Sequence, residues 1–191
     1  MSIILDGTNG IVTPDIDSGV STLGPLTQAL NLGSTGQIVF PATQNASANA
    51  NTLDDYEEGT WTPVLRRLAG SSDYTYTLQN GFYTKIGNLV QVQFAITISA
   101  ITTQGSRFLE ITGLPFTAKN SSFQYSGGSV TVQSCISGEP CSSIGVFPNT
   151  TRVALFGTGN PTINEGLLGE TGAASVTVIT GTLIGSITYQ V

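Results

Sequence analysis

Four carboxylates sit within five residues in Leu53-Asp54-Asp55-Tyr56-Glu57-Glu58-Gly59-Thr60-Trp61-Thr62-Pro63, and they are the residues best suited to chemistry. A pair of acids is what glycoside cleavage needs, one to protonate the leaving oxygen and one to act as base or nucleophile. Carboxylates at alternate positions can also ligate calcium. Neither use is expected here. An acid pair without a cleft is not a site, and Asp-Asp-Tyr-Glu-Glu lacks the spacing of a calcium loop. Asp15-Ile16-Asp17 and the turn Asp6-Gly7-Thr8-Asn9-Gly10 are weaker versions of the same pattern. With no His in the chain, Ser-His-Asp and Cys-His catalysis are excluded, and zinc is disfavoured. Gly157-Thr158-Gly159 follows a strand, but no helix N-terminus follows to cradle a phosphate. The expectation is therefore a non-enzymatic chain with no catalytic residue, no metal and no cofactor, whose acids cap or hydrogen-bond a turn.

The elements around this segment change character across it. Before it there is no Lys or Arg, and after it come all 6 basic residues. The chain has 191 residues, enough for one domain and an appendage. Charged residues are only 9% and the net charge is -6, so nucleic acid, which needs clustered cations, is not expected as a partner. Arg66-Arg67 reads as a solvated strand edge. Met-Ser-Ile-Ile-Leu-Asp lacks the basic start and long apolar run of a secretory signal, and no run approaches the ~20 apolar residues of a membrane span. Synthesis in a cytosol without membrane insertion is expected. Asn45-Ala46-Ser47 and Asn149-Thr150-Thr151 match a glycosylation pattern that also occurs by chance. Cys135 and Cys141 flank a tight turn that could join them, while cytosolic synthesis favours free thiols.

From the N-terminus, Ile3-Ile4-Leu5 and Ile11-Val12-Thr13 read as short strands, with Asp6-Gly7 and Asn9-Gly10 as turn dipeptides between them. Leu23, Leu26 and Leu30 fit one or two helical turns from Pro25, and Gln37 to Phe40 a short strand. The Ala, Asn and Ser tract of residues 42–51 cannot bury enough surface to hold itself. It is a linker, or it winds around copies of itself, which would give Leu23, Leu26, Leu30 and Phe40 a core. Beyond Trp61 the period is two. Val90, Val92, Phe94, Ile96 and Ile98 share one face of Asn88–Ser99, joined by Gly87-Asn88 to a strand at residues 81–86. Further strands are expected at residues 74–78, 107–112, 129–133, 152–156, 174–179 and 183–191, with Asn80-Gly81 and Gly127-Gly128 as turns. The predicted fold is all-β, a jelly-roll-like sandwich. Tyr125, Phe147 and Phe116 fall on turns or strand ends, where aromatics could stack on sugars or fill a partner's pocket.

Three pieces together resemble bacteriophage tail-fibre and related virion fibre proteins. They are Leu53–Pro63, Gly81-Phe82-Tyr83-Thr84-Lys85-Ile86-Gly87-Asn88-Leu89-Val90, and Ile111-Thr112-Gly113-Leu114-Pro115-Phe116-Thr117. Leu5-Asp6-Gly7-Thr8-Asn9-Gly10-Ile11 is similar to the opening of such fibres, and the likeness spans roughly residues 1–18 and 36–120. It implies a homotrimer in a virion. Residues 1–18 would attach to other virion proteins, and residues 19–53 would form an interwoven stem. Residues 54–191 would form a head that binds a host surface glycan or protein. Tyr56, Trp61, Leu23, Leu26, Leu30 and Phe40 would then make junction or trimer contacts, and Phe116, Tyr125 and Phe147 receptor contacts. The rival expectation is a head fibre or capsid decoration protein that recognises nothing in particular.

Overall fold

The computed structural model describes residues 5–6, 10–11, 36, 38–49, 51–121, 126–138, 141–157, 166–167 and 177–191. Leu23, Leu26, Leu30 and Tyr125, and the helical turns expected from Pro25, lie outside them. The chain divides into two units, Met1–Val39 and Phe40–Val191. In the first, β1 (Leu5–Asp6) pairs antiparallel with β2 (Gly10–Ile11), Leu5 opposite Ile11. This is the small hairpin that the Asp-Gly and Asn-Gly dipeptides predict.

The second unit holds β3 (Tyr56–Trp61), β4 (Val64–Ala69), β5 (Asp73–Ile86), β6 (Leu89–Thr103), β7 (Ser106–Thr112), β8 (Ser126–Gln133) and β9 (Ile136–Ser137). It continues with β10 (Cys141–Val146), β11 (Arg152–Gly157), β12 (Gly166–Leu167), β13 (Thr177–Val178) and β14 (Gly181–Gln190). No described residue is helical, and no helix is long and apolar enough to cross a membrane. The chain is all-β, as its alternation predicts. The pairing runs through one sheet, where a sandwich reading expects two. Its order is β3-β5-β6-β14-β8-β10-β11-β7-β4, antiparallel at every step, with β12 added on β11. A separate pair, β9 with β13, is clamped by Gln104: its amide donates to the Val178 carbonyl (2.6 Å) and accepts from the Val178 N–H (3.0 Å).

The first and last strands of that path, β3 and β4, are consecutive in the chain and separated only by Thr62-Pro63. The sheet must therefore curl until its ends meet. Side chains of β5 fasten the seam to the backbone of β4 and its approach. The Tyr76 hydroxyl donates to the Leu65 carbonyl (2.9 Å), and the Gln79 amide donates to the Pro63 carbonyl (3.0 Å). Inside the curl lies the core. It takes Val90, Val92, Phe94, Ile96 and Ile98 from β6, the face that the period-two pattern selects, with Leu183, Ile187 and Tyr189 of β14, Leu109 and Ile111 of β7, and Leu155 of β11.

Asn80-Gly81, a turn by its residue types, lies instead inside the 14-residue strand β5. The reason is Trp61, which stands directly opposite Gly81. A Cβ on Gly81 would come within 2.5 Å of the indole Nε1. The bare backbone lets the indole lie across β5, edge-on to Phe94 at 6.1 Å, and donate to the Gln93 carbonyl at 3.3 Å. Gly81→Val should lower stability by about 1–3 kcal/mol through overpacking and shift Trp61 fluorescence to the red. Trp61 is the chain's only tryptophan, so the emission reports this one contact; an unchanged spectrum and melt would contradict it.

Candidate functional site

Of the four acids of the Leu53–Pro63 segment, Glu57 and Glu58 lie on β3, and Asp54 and Asp55 immediately precede it. Along β3 the burial alternates, so Glu57 turns toward the inner side with Trp61 while Glu58 turns outward with Tyr56. Each acid has its own donor. Ser47 N–H donates to Asp54 Oδ2 (2.8 Å), which holds that carboxyl below its usual value. Lys85 pairs with Asp55 in a buried ion pair. The Tyr83 hydroxyl donates to Glu57 and the Tyr56 hydroxyl to Glu58. The bond to the Glu57 carboxylate, more than burial, pushes the Tyr83 phenol up to about 12. Because Glu57 and Glu58 point to opposite faces, they cannot flank one glycosidic bond. Among the described residues no three of His, Cys, Asp and Glu come together as metal ligands would.

The three fibre-like pieces converge on this cluster. The first is β3 and the second is the end of β5, and they pair in register: Tyr56 with Ile86, Glu57 with Lys85, Trp61 with Gly81. Gly113 of the third has φ +95° and passes so close to β3's exit that a Cβ would meet the Thr62 carbonyl at 2.6 Å. Only glycine fits both demands. Three residues on, Phe116 is edge-on to Tyr83 at 5.3 Å and lies under the Lys85 ammonium, 5.7 Å from the ring centre. Its carbonyl accepts from Tyr189 (3.1 Å). Phe116 is thus half-buried within the cluster. Phe147 is half-buried against Phe156, ring centres 6.2 Å apart. Phe40 packs on Tyr56 at 6.3 Å.

Two further charged groups are buried. Glu110 on β7 is 1% exposed and receives a guanidinium from each neighbouring strand, Arg66 Nε at 2.7 Å and Arg152 Nη1 at 2.9 Å. Arg67 is buried and its Nη1 donates to the Arg107 carbonyl (2.8 Å). On β4, the last strand of the sheet's path, Arg66 is exposed as the sequence suggests while Arg67 is buried, so only half of the expected solvated pair holds. Cys135 and Cys141 are free thiols, raised by burial to about 11 and about 12.

Sequence reasoning missed the outer face of β5, β6, β14 and β8. There Asn80, Phe82, Gln93, Ser129, Thr131 and Ile184 surround a concavity of about 410 Å³. These residues lie up to about a hundred positions apart, and only the order of strands brings them together.

No protein-family model matches the chain. Over 82 residues, 43% of its length, it is 33% identical to a capsule KN4-specific depolymerase of Klebsiella phage K64-1. The match spans 11% of that protein. Among solved structures it resembles the Dettilon tailspike protein gp208, with 18% identity over 69% of this chain and 23% of that one. The TM-score is 0.43, too low to carry an argument about the fold. Over the 82 matched residues the chain is similar to a phage depolymerase. The expectation of a chain without enzymatic activity is corrected by the sequence relative, whose name is that of an enzyme. Lacking His removes triad chemistry but leaves carboxylate chemistry, which needs none.

The Asp55–Lys85 pair should behave as a buried ion pair. Asp55→Ala leaves a buried ammonium uncompensated and should cost about 3–5 kcal/mol in urea unfolding, whereas Asp55→Leu with Lys85→Met should recover most of that loss. Alkali should unfold the chain as well. Cys135, Cys141, Tyr76 and Tyr189 all have folded values raised by burial from 9.0 or 10.0 to about 11 or 12. The unfolded chain therefore loses these protons first, so stability is intact below pH 9 and falls as pH rises to about 12. A melt that is flat across that window would contradict this.

Proposed function

We propose that the chain is a component of a bacteriophage tail, of fibre or tailspike type, whose β-region binds polysaccharide on the host surface. The observation that carries this reading is the 33% identity over 82 residues to a capsule-specific phage protein. The pairing of the fibre-like segments Tyr56–Trp61 and Gly81–Ile86 in one register supports it from the fold. In this reading residues 1–18 attach to other virion proteins, residues 19–53 form the stem of a homotrimer, and residues 54–191 form the head.

An exposed apolar row supports the trimer. Tyr56, Ile86 and Leu89 stand side by side across β3, β5 and β6, and are 42%, 49% and 46% exposed. Phe40 packs at the end of that row, on Tyr56. Apolar side chains gathered on a surface of so little charge are suited to burial against another copy.

A second reading is favoured by the name of the sequence relative. The chain, or a longer assembly in which it serves, would cleave capsule polysaccharide as well as hold it.

The full chain should bind purified Klebsiella capsule polysaccharide, KN4 included, and be retained on encapsulated cells but not on acapsular ones. Equal retention on both would overturn the reading and leave a fibre without specific recognition. Release of reducing ends from the same polysaccharide would establish the second reading. Sedimentation equilibrium should give three times the chain mass, and a monomer would remove the stem.

A further inference from the structure

The concavity on the outer face of the sheet has a chemistry that selects its ligand. It is built from two rows running across four adjacent strands. One is Phe82, Gln93, Ser186 and Ser129; the other is Asn80, Ala95, Ile184 and Thr131. Its volume of about 410 Å³ falls within the roughly 300–1,000 Å³ of small-ligand clefts. None of these side chains carries a charge.

Phe82 and Ile184 are 57% and 44% exposed, which leaves an aromatic face and an aliphatic branch open to solvent. Beside them, the Asn80 and Gln93 side chains make no hydrogen bond to another described residue. Each retains a carbonyl acceptor and two N–H donors. Ser129 and Ser186 hydroxyls share one hydrogen bond at 3.2 Å, which leaves lone pairs on both oxygens and one O–H free. An apolar plate ringed by groups that both donate and accept complements a pyranose ring, with its C–H face and its rim of hydroxyls. No Lys or Arg lines the concavity, and the chain's charge of -6 disfavours an anionic ligand further.

We propose that this face is a binding site for an uncharged stretch of oligosaccharide. Phe82 stacks on the C–H face of a sugar, and the Asn80 and Gln93 amides pair with its vicinal hydroxyls. The inference rests on the reading of the chain as a host-surface binder and deepens it, naming the surface and the class of sugar.

The test uses the full chain on an array of neutral gluco-, galacto-, manno- and rhamno-oligosaccharides beside uronate-, sialate- and phosphate-bearing ones. Binding to at least one neutral group is expected, and Phe82→Ala and Gln93→Ala should each weaken it by roughly tenfold or more. Both positions are exposed, and unchanged Trp61 emission would verify that the variants fold. Binding that survives both changes, or that is confined to anionic glycans, overturns the site while the adhesion reading stands. The same holds if no oligosaccharide binds but encapsulated cells still retain the chain. If those cells do not retain it either, both readings fall. A drop in sedimenting mass for Phe82→Ala would instead make the face a contact between copies and overturn the proposal.

Discussion

The structure depends on bringing the two ends of one antiparallel sheet together. Strands β3 and β4 are neighbours in sequence and opposite ends of the hydrogen-bonded path, so Thr62-Pro63 can connect them only if everything between curls into a near-closed wall. The seam has no ladder of its own. It is closed by Tyr76 and Gln79 reaching backbone carbonyls, and by Gly113 passing close to the Thr62 carbonyl. A sheet closed in this way hides its apolar face inside and leaves no long flat edge for aggregation. It also turns the opposite face of β5, β6, β14 and β8 outward, which creates the only kind of surface such a wall has to offer.

The acid-rich segment takes its meaning from that closure. In isolation Asp54, Asp55, Glu57 and Glu58 suggest acid–base chemistry. In the fold Asp55 and Glu57 tie this segment to β5 through Lys85 and Tyr83, Asp54 ties it to the preceding chain at Ser47, and Glu58 is held within β3 by Tyr56. The Asp55–Lys85 pair is the most buried of these fastenings, with the Lys85 ammonium over the ring of Phe116, which in turn is edge-on to Tyr83. The three fibre-like pieces thus meet in one part of the β-region. That explains why they carry architectural information and little about a ligand.

Much of the fold was legible before the strands were seen. The alternation of Val90 to Ile98 marks a buried face, and Gly87-Asn88 marks a hairpin, because both signals are local. What failed were inferences in which a local preference is overridden from a distance. Gly81 reads as a turn but is a strand residue that accommodates Trp61, and Gly127-Gly128 lie within β8 rather than before it. Tyr56–Trp61 has no apolar alternation, so an edge strand of acids and hydroxyls reads as a turn. Buried Lys85, Arg67 and Glu110 look like surface charges, because their partners stand tens of residues away. The outer concavity could not be read at all, since it exists only once β14 lies between β6 and β8.

The central claim is that this chain is a tail component whose β-region meets the host. Immunogold labelling of intact virions, with antibody raised against the full chain, tests it most directly. Gold clustered at the distal end of the tail is the predicted result. Gold distributed over the capsid, or none on the particle, would contradict it.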